Sequence, residues 1–124
     1  MKELTKAEEE LMNVLWKLEK AFLKDIIEAF PEPKPAYTTV STVLRVLVKK
    51  EVVGFNTYSK VHEYFPRIKK KEYFKNHFSR IAKSFFGGSY TSLLSNFTSA
   101  DNLSITDLEE IKSLIDSEIK KKKK

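Results

Sequence analysis

No cysteine occurs among the 124 residues. That excludes a disulfide framework, an iron–sulfur cluster, a thiol nucleophile and any cysteine-based zinc site, and it fits a reducing, cytoplasmic setting. Glycine is scarce, three residues in all, and no Gly-rich phosphate-cradling loop can be drawn from them. The two histidines, His62 and His77, stand 15 positions apart with no HxxxH or HExxH spacing, so no metal site is expected. His62 reads as a strand-surface residue and His77 as a helix-surface one. No apolar run approaches the roughly 20 residues of a membrane span. The opening MKELTKAEEE is acidic and lacks the apolar core of a signal peptide. Without a nucleophile–base pair, a metal constellation or a phosphate loop, neither an enzyme nor a cofactor is expected.

What the chain does have is cationic charge, unevenly placed. The net charge is +6. Residues 1–33 hold 5 basic and 8 acidic side chains, a balance of −3; residues 34–83 hold 12 and 3, a balance of +9; residues 84–124 hold 6 of each. Basic charge concentrated in one segment is the electrostatic footprint of a nucleic-acid binder. The final block, residues 120–124, is five lysines and reads as a frayed, solvated tail that could also touch DNA or acidic lipid.

The basic segment contains KPAYTTVSTVLRVLVKK, residues 34–50. Placed on a helix, Val40, Val43, Leu44 and Leu47 form one stripe at i, i+3, i+4, i+7. Thr38, Ser41, Thr42, Arg45 and Lys49 fall opposite, giving hydroxyls and two cations with no acid. Surface helices usually mix both signs on the polar face, so a side clear of carboxylates suits approach to a polyanion. Hydroxyls can reach phosphates or base edges, and Arg can pair bidentately with guanine. Taken alone, the same residues would also suit a Thr/Ser-rich helix that merely faces water.

The surroundings narrow that choice. Thr5-Lys6-Ala7-Glu8 reads as a capping box, opening a helix whose stripe is Ala7, Leu11, Leu15 and Leu18, with Val14 beside it and Trp16 as a core residue. Glu8, Glu9 and Glu10 read as ordinary first-turn acids that favour the helix N-terminus. Phe22, Ile26, Ile27 and Phe30 mark a second, short helix, and Pro31, Pro33 and Pro35 end it. The helix from about Thr38 to Lys50 follows, so the pair reads as a helix-turn-helix with a long turn. Val52, Val53, Phe55 and Tyr58 then a turn at Ser59-Lys60 then Val61 to Phe65, closed by Pro66, read as a β-hairpin. Helices followed by a hairpin give the order of a winged helix, with Lys60 at the wing tip, where cations usually meet phosphate or the minor groove.

Residues 68–86 predict a longer helix with Phe74, Phe78, Ile81 and Phe85 on one stripe, flanked by Tyr73 and Ala82 and stopped by Gly87-Gly88. Tyr90, Leu93, Leu94 and Phe97 mark a short helix. Ser104 to Asp107 is a further capping signature, leading into Ile105, Leu108, Ile111, Leu114 and Ile115. These thin amphipathic helices do not hide their apolar faces alone. A second copy is the simplest cover; folding back on the winged helix is the other. The expected fold is therefore mostly α with a small β-hairpin: a winged helix-turn-helix domain over 1–67, then a helical dimerisation domain over 68–124.

Three segments carry a family resemblance: LTKAEEELMNVLWKL at 4–18, PEPKPAYTTVSTVLRVLVKK at 31–50, and FFGGSYTSLLSNF at 85–97. Together they resemble the penicillinase and methicillin-resistance repressors, the BlaI/MecI family, across almost the whole chain. The resemblance implies a cytoplasmic, homodimeric repressor that binds double-stranded DNA at a two-fold operator. It also implies inactivation by a regulatory protease at an Asn-Phe bond, here Asn96-Phe97. Three departures stand out. Val46 sits where the family often has a second Arg, Glu51 sits where a turn Gly is usual, and the cysteine cluster of the copper-responsive branch is missing.

On this reading Thr38, Thr39, Ser41, Thr42 and Arg45 lie near base edges or flanking phosphates, and Lys49, Lys60 and Arg67 contact phosphate. Phe74, Phe78, Ile81, Phe85, Leu93, Leu94, Phe97, Leu108, Ile111 and Ile115 form the dimer interface. The competing class is a winged helix that docks its basic face on an acidic protein partner.

Overall fold

The computed structural model describes residues 3–99 and 102–123. The first helix, α1 (Lys6–Leu18), starts at Thr5, whose hydroxyl accepts the Glu8 N–H at 3.2 Å while Glu8 returns a carboxylate oxygen to the Thr5 N–H at 2.9 Å. The capping box is therefore made. The buried stripe differs from the expected one. Ala7 and Leu18 are exposed, and Glu8, Leu11, Met12 and Leu15 are buried. These four keep the i, i+3, i+4, i+7 spacing, rotated by one position, so an acid stands where an alanine was expected. Trp16 is half-buried against the core, its indole N–H donating to the Ile68 carbonyl at 2.8 Å.

The second element corrects the sequence expectation. Phe22 does not begin a helical stripe; Ala21 and Phe22 form a two-residue strand, β1 (Ala21–Phe22), before α2 (Leu23–Ala29). A strand this short carries no periodicity and exists only because β3 (Val61–Pro66) lies beside it, pairing Ala21 with Tyr64 and Phe22 with Glu63. The proline-rich stretch separates α2 from α3 (Tyr37–Lys49), whose Val40, Leu44 and Leu47 are buried with Val43 at the margin. Each fully buried aliphatic of this kind stabilises the fold by about 1.5–3 kcal/mol.

The exit from α3 is a Schellman turn. The Val52 N–H reaches the Leu47 carbonyl at 3.0 Å and the Glu51 N–H reaches the Val48 carbonyl at 3.0 Å. The turn needs a left-handed residue, and Glu51 supplies it at φ 65°. Val52 and Leu47, both in the core, make the apolar contact that accompanies this motif. Strand β2 (Val53–Tyr58) follows, and with β3 and β1 it makes a three-stranded antiparallel sheet in the order β1-β3-β2. The hairpin turns at Ser59-Lys60, and the arrangement is a winged helix.

The chain divides into two compact units, Met1–His77 and Phe78–Lys124, with the division inside α4 (Lys70–Phe86). In the first unit Tyr73 is buried among the core residues. Its hydroxyl donates to Glu9 at 2.9 Å and accepts the Leu4 N–H at 3.4 Å, whereas Phe74 is exposed. In the second unit, Gly87 and Gly88 adopt φ 57° and 86° and end α4. Ser89 caps α5 (Tyr90–Thr98), and Ser104 with Asp107 forms the capping box of α6 (Ile105–Lys122). The lysine block is not a frayed tail as far as it is described: α6 continues through Lys122, where cations complement the negative helix end. Lys124 lies outside the described residues.

Glu51 occupies a conformation that costs an L-residue roughly 1 kcal/mol. Glu51→Gly is expected to raise the unfolding free energy by about 0.5–1 kcal/mol, and Glu51→Val to lower it, both read from denaturant midpoints at unchanged slope.

Candidate nucleic-acid interface

The open side of α3 presents Thr38, Thr42, Arg45 and Lys49 to solvent, with Ser41 half-buried at one edge. The side carries no carboxylate. No acid lies on α3 at all: the nearest in sequence are Glu32 before it and Glu51 after it. The helix also starts without a side-chain cap: Ala36 has no group to offer the first-turn N–H groups, and the first turn holds no acid. By contrast Thr5, Ser89 and Ser104 cap α1, α5 and α6. The positive end of the α3 dipole is thus left unsatisfied by side chains.

The hydroxyls are not equivalent. The Thr42 O–H donates to the Thr38 carbonyl at 2.8 Å, so its oxygen is left as an acceptor and its methyl as an apolar contact. Such a group suits an exocyclic amine or a thymine methyl better than a phosphate. Thr39 lies on the other edge of the helix, lining a cleft of about 410 Å³ with Lys6, Glu10, Phe30, Pro35 and Val43. It therefore faces α1 as well as solvent.

The wing brings further groups alongside. Directly opposed residues on antiparallel strands share a face, so the pairs Phe55–Tyr64 and Thr57–His62 lie on one side of the hairpin, and Asn56–Glu63 and Tyr58–Val61 on the other. Tyr64 sits next to α3. Burial and the neighbouring Tyr37 hydroxyl push its phenol above the ordinary value, and the Arg45 guanidinium pulls it back. Lys60 is exposed at the tip. Arg67 is exposed at the opposite end of the hairpin, its N–H bound to the Val52 carbonyl at 2.8 Å. The length of β3 separates Lys60 from Arg67 by about 20 Å, so these two cations do not form one cluster. At the base, Gly54 lies under the Phe65 ring, where an added Cβ would come within 2.7 Å of a ring carbon.

Lys34 and Lys50 of the 34–83 segment are already engaged with the rest of the first unit. Lys34 donates to the Glu28 and Phe30 carbonyls at 2.7 and 3.1 Å, closing the end of α2. Lys50, at the end of α3, bonds both carboxylate oxygens of Glu8 at 2.8 and 2.9 Å. Glu8 is 5% exposed, so it is no ordinary first-turn charge. Burial pushes its carboxyl up, but the Lys50 ammonium and the Thr5 N–H outweigh that and hold its pKa below the ordinary value of 4.5. The pair fastens the end of α3 to the start of α1.

In the second unit, Phe78 and Tyr90 stack at 5.9 Å, and Ser79 and Tyr90 share a hydrogen bond of 2.9 Å. Phe85, Leu94, Phe97 and Ile115 are exposed; Ile81, Leu108 and Ile111 are half-buried; Leu93, at 8%, is buried. Phe97, Leu103, Ile111 and Leu114 line an open groove of about 390 Å³. Asn96 is exposed beside Phe97 on α5.

The sequence profile of the family described as penicillinase repressor matches residues 4–117. The chain belongs to that family. It is 28% identical over 115 residues to the methicillin resistance regulatory protein MecI of Staphylococcus aureus strain N315, covering 91% of this chain and 93% of that protein. It is 25% identical over 122 residues to the penicillinase repressor of Bacillus licheniformis, covering 98% and 95%. Among solved structures, the DNA-binding domain of the repressor BlaI matches 58% of this chain and 93% of that one, at 26% identity and a TM-score of 0.50. Among the described residues no helix is long and apolar enough to cross a membrane.

Sequence reasoning missed three features of this surface. Tyr37, 64% exposed on the first turn of α3, lies outside the hydroxyl-and-cation pattern and so carries no signal of its own in the sequence. Tyr64 and His62 look like ordinary strand residues in the sequence, although strict alternation along the hairpin assigns them to one face. The Glu8–Lys50 pair gave no signal, because 42 residues separate its members.

Glu8→Gln is expected to lower stability by on the order of 2 kcal/mol at neutral pH, by leaving Lys50 half-buried without its counter-charge. Because the folded pKa is depressed, the Glu8 contribution is complete above the unfolded value near 4.5 and is lost as pH falls through the lower folded value. Denaturant titrations from neutral to acid pH should therefore show a steeper loss in the wild type than in Glu8→Gln.

Proposed function

We propose that this chain is a DNA-binding transcriptional repressor that lays α3 in the major groove and works as a homodimer on a palindromic operator. The observation that carries this reading is the open side of α3: hydroxyls, Arg45 and Lys49, no carboxylate, and a helix N-terminus without a side-chain cap. Family membership supports it, since the relatives are named as repressors and a regulatory protein.

Thr38, Ser41, Thr42 and Arg45 are assigned to base edges or the phosphates beside them, with Thr39 at the margin. Lys49, Lys60 and Arg67 are assigned to phosphate. The separation of Lys60 from Arg67 suits contacts at two points along the duplex. The second unit serves as the dimer clasp. Of its described residues only Ala82 and Leu93 are buried, against a larger set of exposed aromatics and aliphatics, so it lacks the core that an independent helical unit of this size needs. Phe78, Ile81, Phe85, Leu94, Phe97, Leu108, Ile111 and Ile115, with Phe74 earlier on α4, supply the surface that a second copy covers, with Leu93 behind it. A regulatory protease acting at Asn96-Phe97 would cut α5 and release the clasp; the helix there must first open, since proteases take extended chain.

A two-fold dimer places half-sites one helical turn, or a multiple of one, apart. Selection of bound sequences from random DNA is expected to return such a palindrome. Binding should weaken steeply with salt. Arg45→Ala should cost about 1–3 kcal/mol on the selected operator and relax its sequence preference. Lys60→Ala should weaken binding equally on all sequences and flatten the salt slope. Unchanged operator affinity in Arg45→Ala removes that residue from the interface. No shifted DNA at low salt from a genomic pool instead favours docking of the basic face on an acidic protein. Sedimentation equilibrium is expected to give a dimer at micromolar concentration; a monomer removes the clasp. A Phe97 substitution that keeps the dimer should block induction in the host.

A further inference from the structure

The wing carries an arrangement that the assignments above leave unused. On the face shared by Phe55, Thr57, His62 and Tyr64, the His62 ring packs on Phe55 at 4.2 Å between centroids, and its Nδ1 is 3.0 Å from the Thr57 hydroxyl oxygen. Tyr64 stands edge-on to the same ring at 6.0 Å. The imidazole is thus held on one side by an aromatic face and at one nitrogen by a hydroxyl. Its remaining polar atom, Nε2, is the free edge.

Chemistry follows from that fixed orientation. When the Thr57 O–H donates to Nδ1, the single ring proton sits on Nε2 and makes it a donor. Protonation adds a proton at Nδ1, the Thr57 oxygen becomes the acceptor, and the ring keeps its place. Both forms therefore offer an Nε2–H, and the charged form makes the stronger bond to an anion. Along β3 the groups on this face and at the tip come in steps of two residues, about 6.7 Å each: Tyr64 beside α3, then His62, then Lys60 at the turn. The charges that bear on this face are cationic or neutral. Arg45 and Tyr37 of α3 flank Tyr64, β2 contributes Phe55 and Thr57, β1 contributes Ala21, and the tip contributes Lys60. The carboxylate of β3, Glu63, lies on the opposite face with Asn56.

We propose that His62 is a DNA-phosphate ligand, held by Thr57 and Phe55 in a donor row with Tyr64 and Lys60 along the wing, and that its protonation tightens DNA binding in mild acid. The inference rests on the DNA-binding reading given above.

The test is the affinity of the full chain for a labelled duplex carrying a sequence selected from random DNA, measured by fluorescence anisotropy at constant ionic strength from about pH 8 to about pH 6, the range in which histidine changes charge. The wild type is expected to gain about fivefold in affinity across it. His62→Gln should lose most of that gain, and Thr57→Val, which keeps the side-chain shape but releases the ring, should lose part of it. His77→Gln should keep it; the chain has no other histidine. A His62→Gln protein with the wild-type gain overturns the proposal, as does a wild type that binds DNA with no gain. A wild type that binds no DNA at any pH overturns the DNA-binding reading itself.

Discussion

Burial of one aliphatic stripe sets the geometry of the rest of the first unit. Val40, Leu44 and Leu47 have a single apolar side to offer, and Leu11, Met12 and Leu15 of α1 with Ile26 of α2 receive it. Once that side is taken from water, the rotation of α3 is no longer free. Turning the helix to hide Thr38, Thr42 or Arg45 would expose fully buried aliphatics at about 1.5–3 kcal/mol each and bury polar groups without partners. The hydroxyl-and-cation side is therefore outward because the other side cannot be. Glu8 and Lys50 add direction to this packing. A buried carboxylate needs a counter-charge, and the one in reach lies at the end of α3, so the helix is fixed along its axis as well as about it.

The wing inherits its position from the same helix. The Schellman turn at Glu51 carries the chain from Leu47 directly into Val52 and Val53, both core residues, which leaves little freedom for the start of β2. From there the register of the hairpin decides which side chains look toward α3. A slip of one residue would exchange Tyr64 and His62 for Phe65 and Glu63, placing an acid on the side that now has none. Gly54 under the Phe65 ring favours the observed register, because a Cβ at that point would have to push the ring aside.

The second unit follows a different logic. Its helices are well capped, by Ser89 and by the Ser104–Asp107 box, so their ends are set by local hydrogen bonds. Their faces are not set in the same way: Phe85 and Ile105 are 76% and 78% exposed, and the unit buries little of what it carries. Caps fix where such helices begin and end, but short helices are marginal on their own, and packing of their apolar sides supplies most of their stability.

Much of this was legible in the residues themselves. Capping boxes, the stripe of α3, the stop after Phe30 and the turn at Ser59-Lys60 are short-range matters, settled by hydrogen bonds and steric rules within a few positions of the chain. The order of elements followed from them. What escaped was whatever depends on a distant partner. Ala21 and Phe22 are a strand because Tyr64 and Glu63 lie beside them; Glu8 is buried because Lys50 is near; Tyr73 rather than Phe74 enters the core because Trp16, Leu4 and Glu9 meet it there. By itself the sequence determined which segments are helix or hairpin and that one helix has a side free of acid. Only the tertiary structure decided which acid is buried, which hydroxyl is already bonded and which aromatic and hydroxyl hold His62 on the hairpin, since each of these is settled by packing and not by chain order.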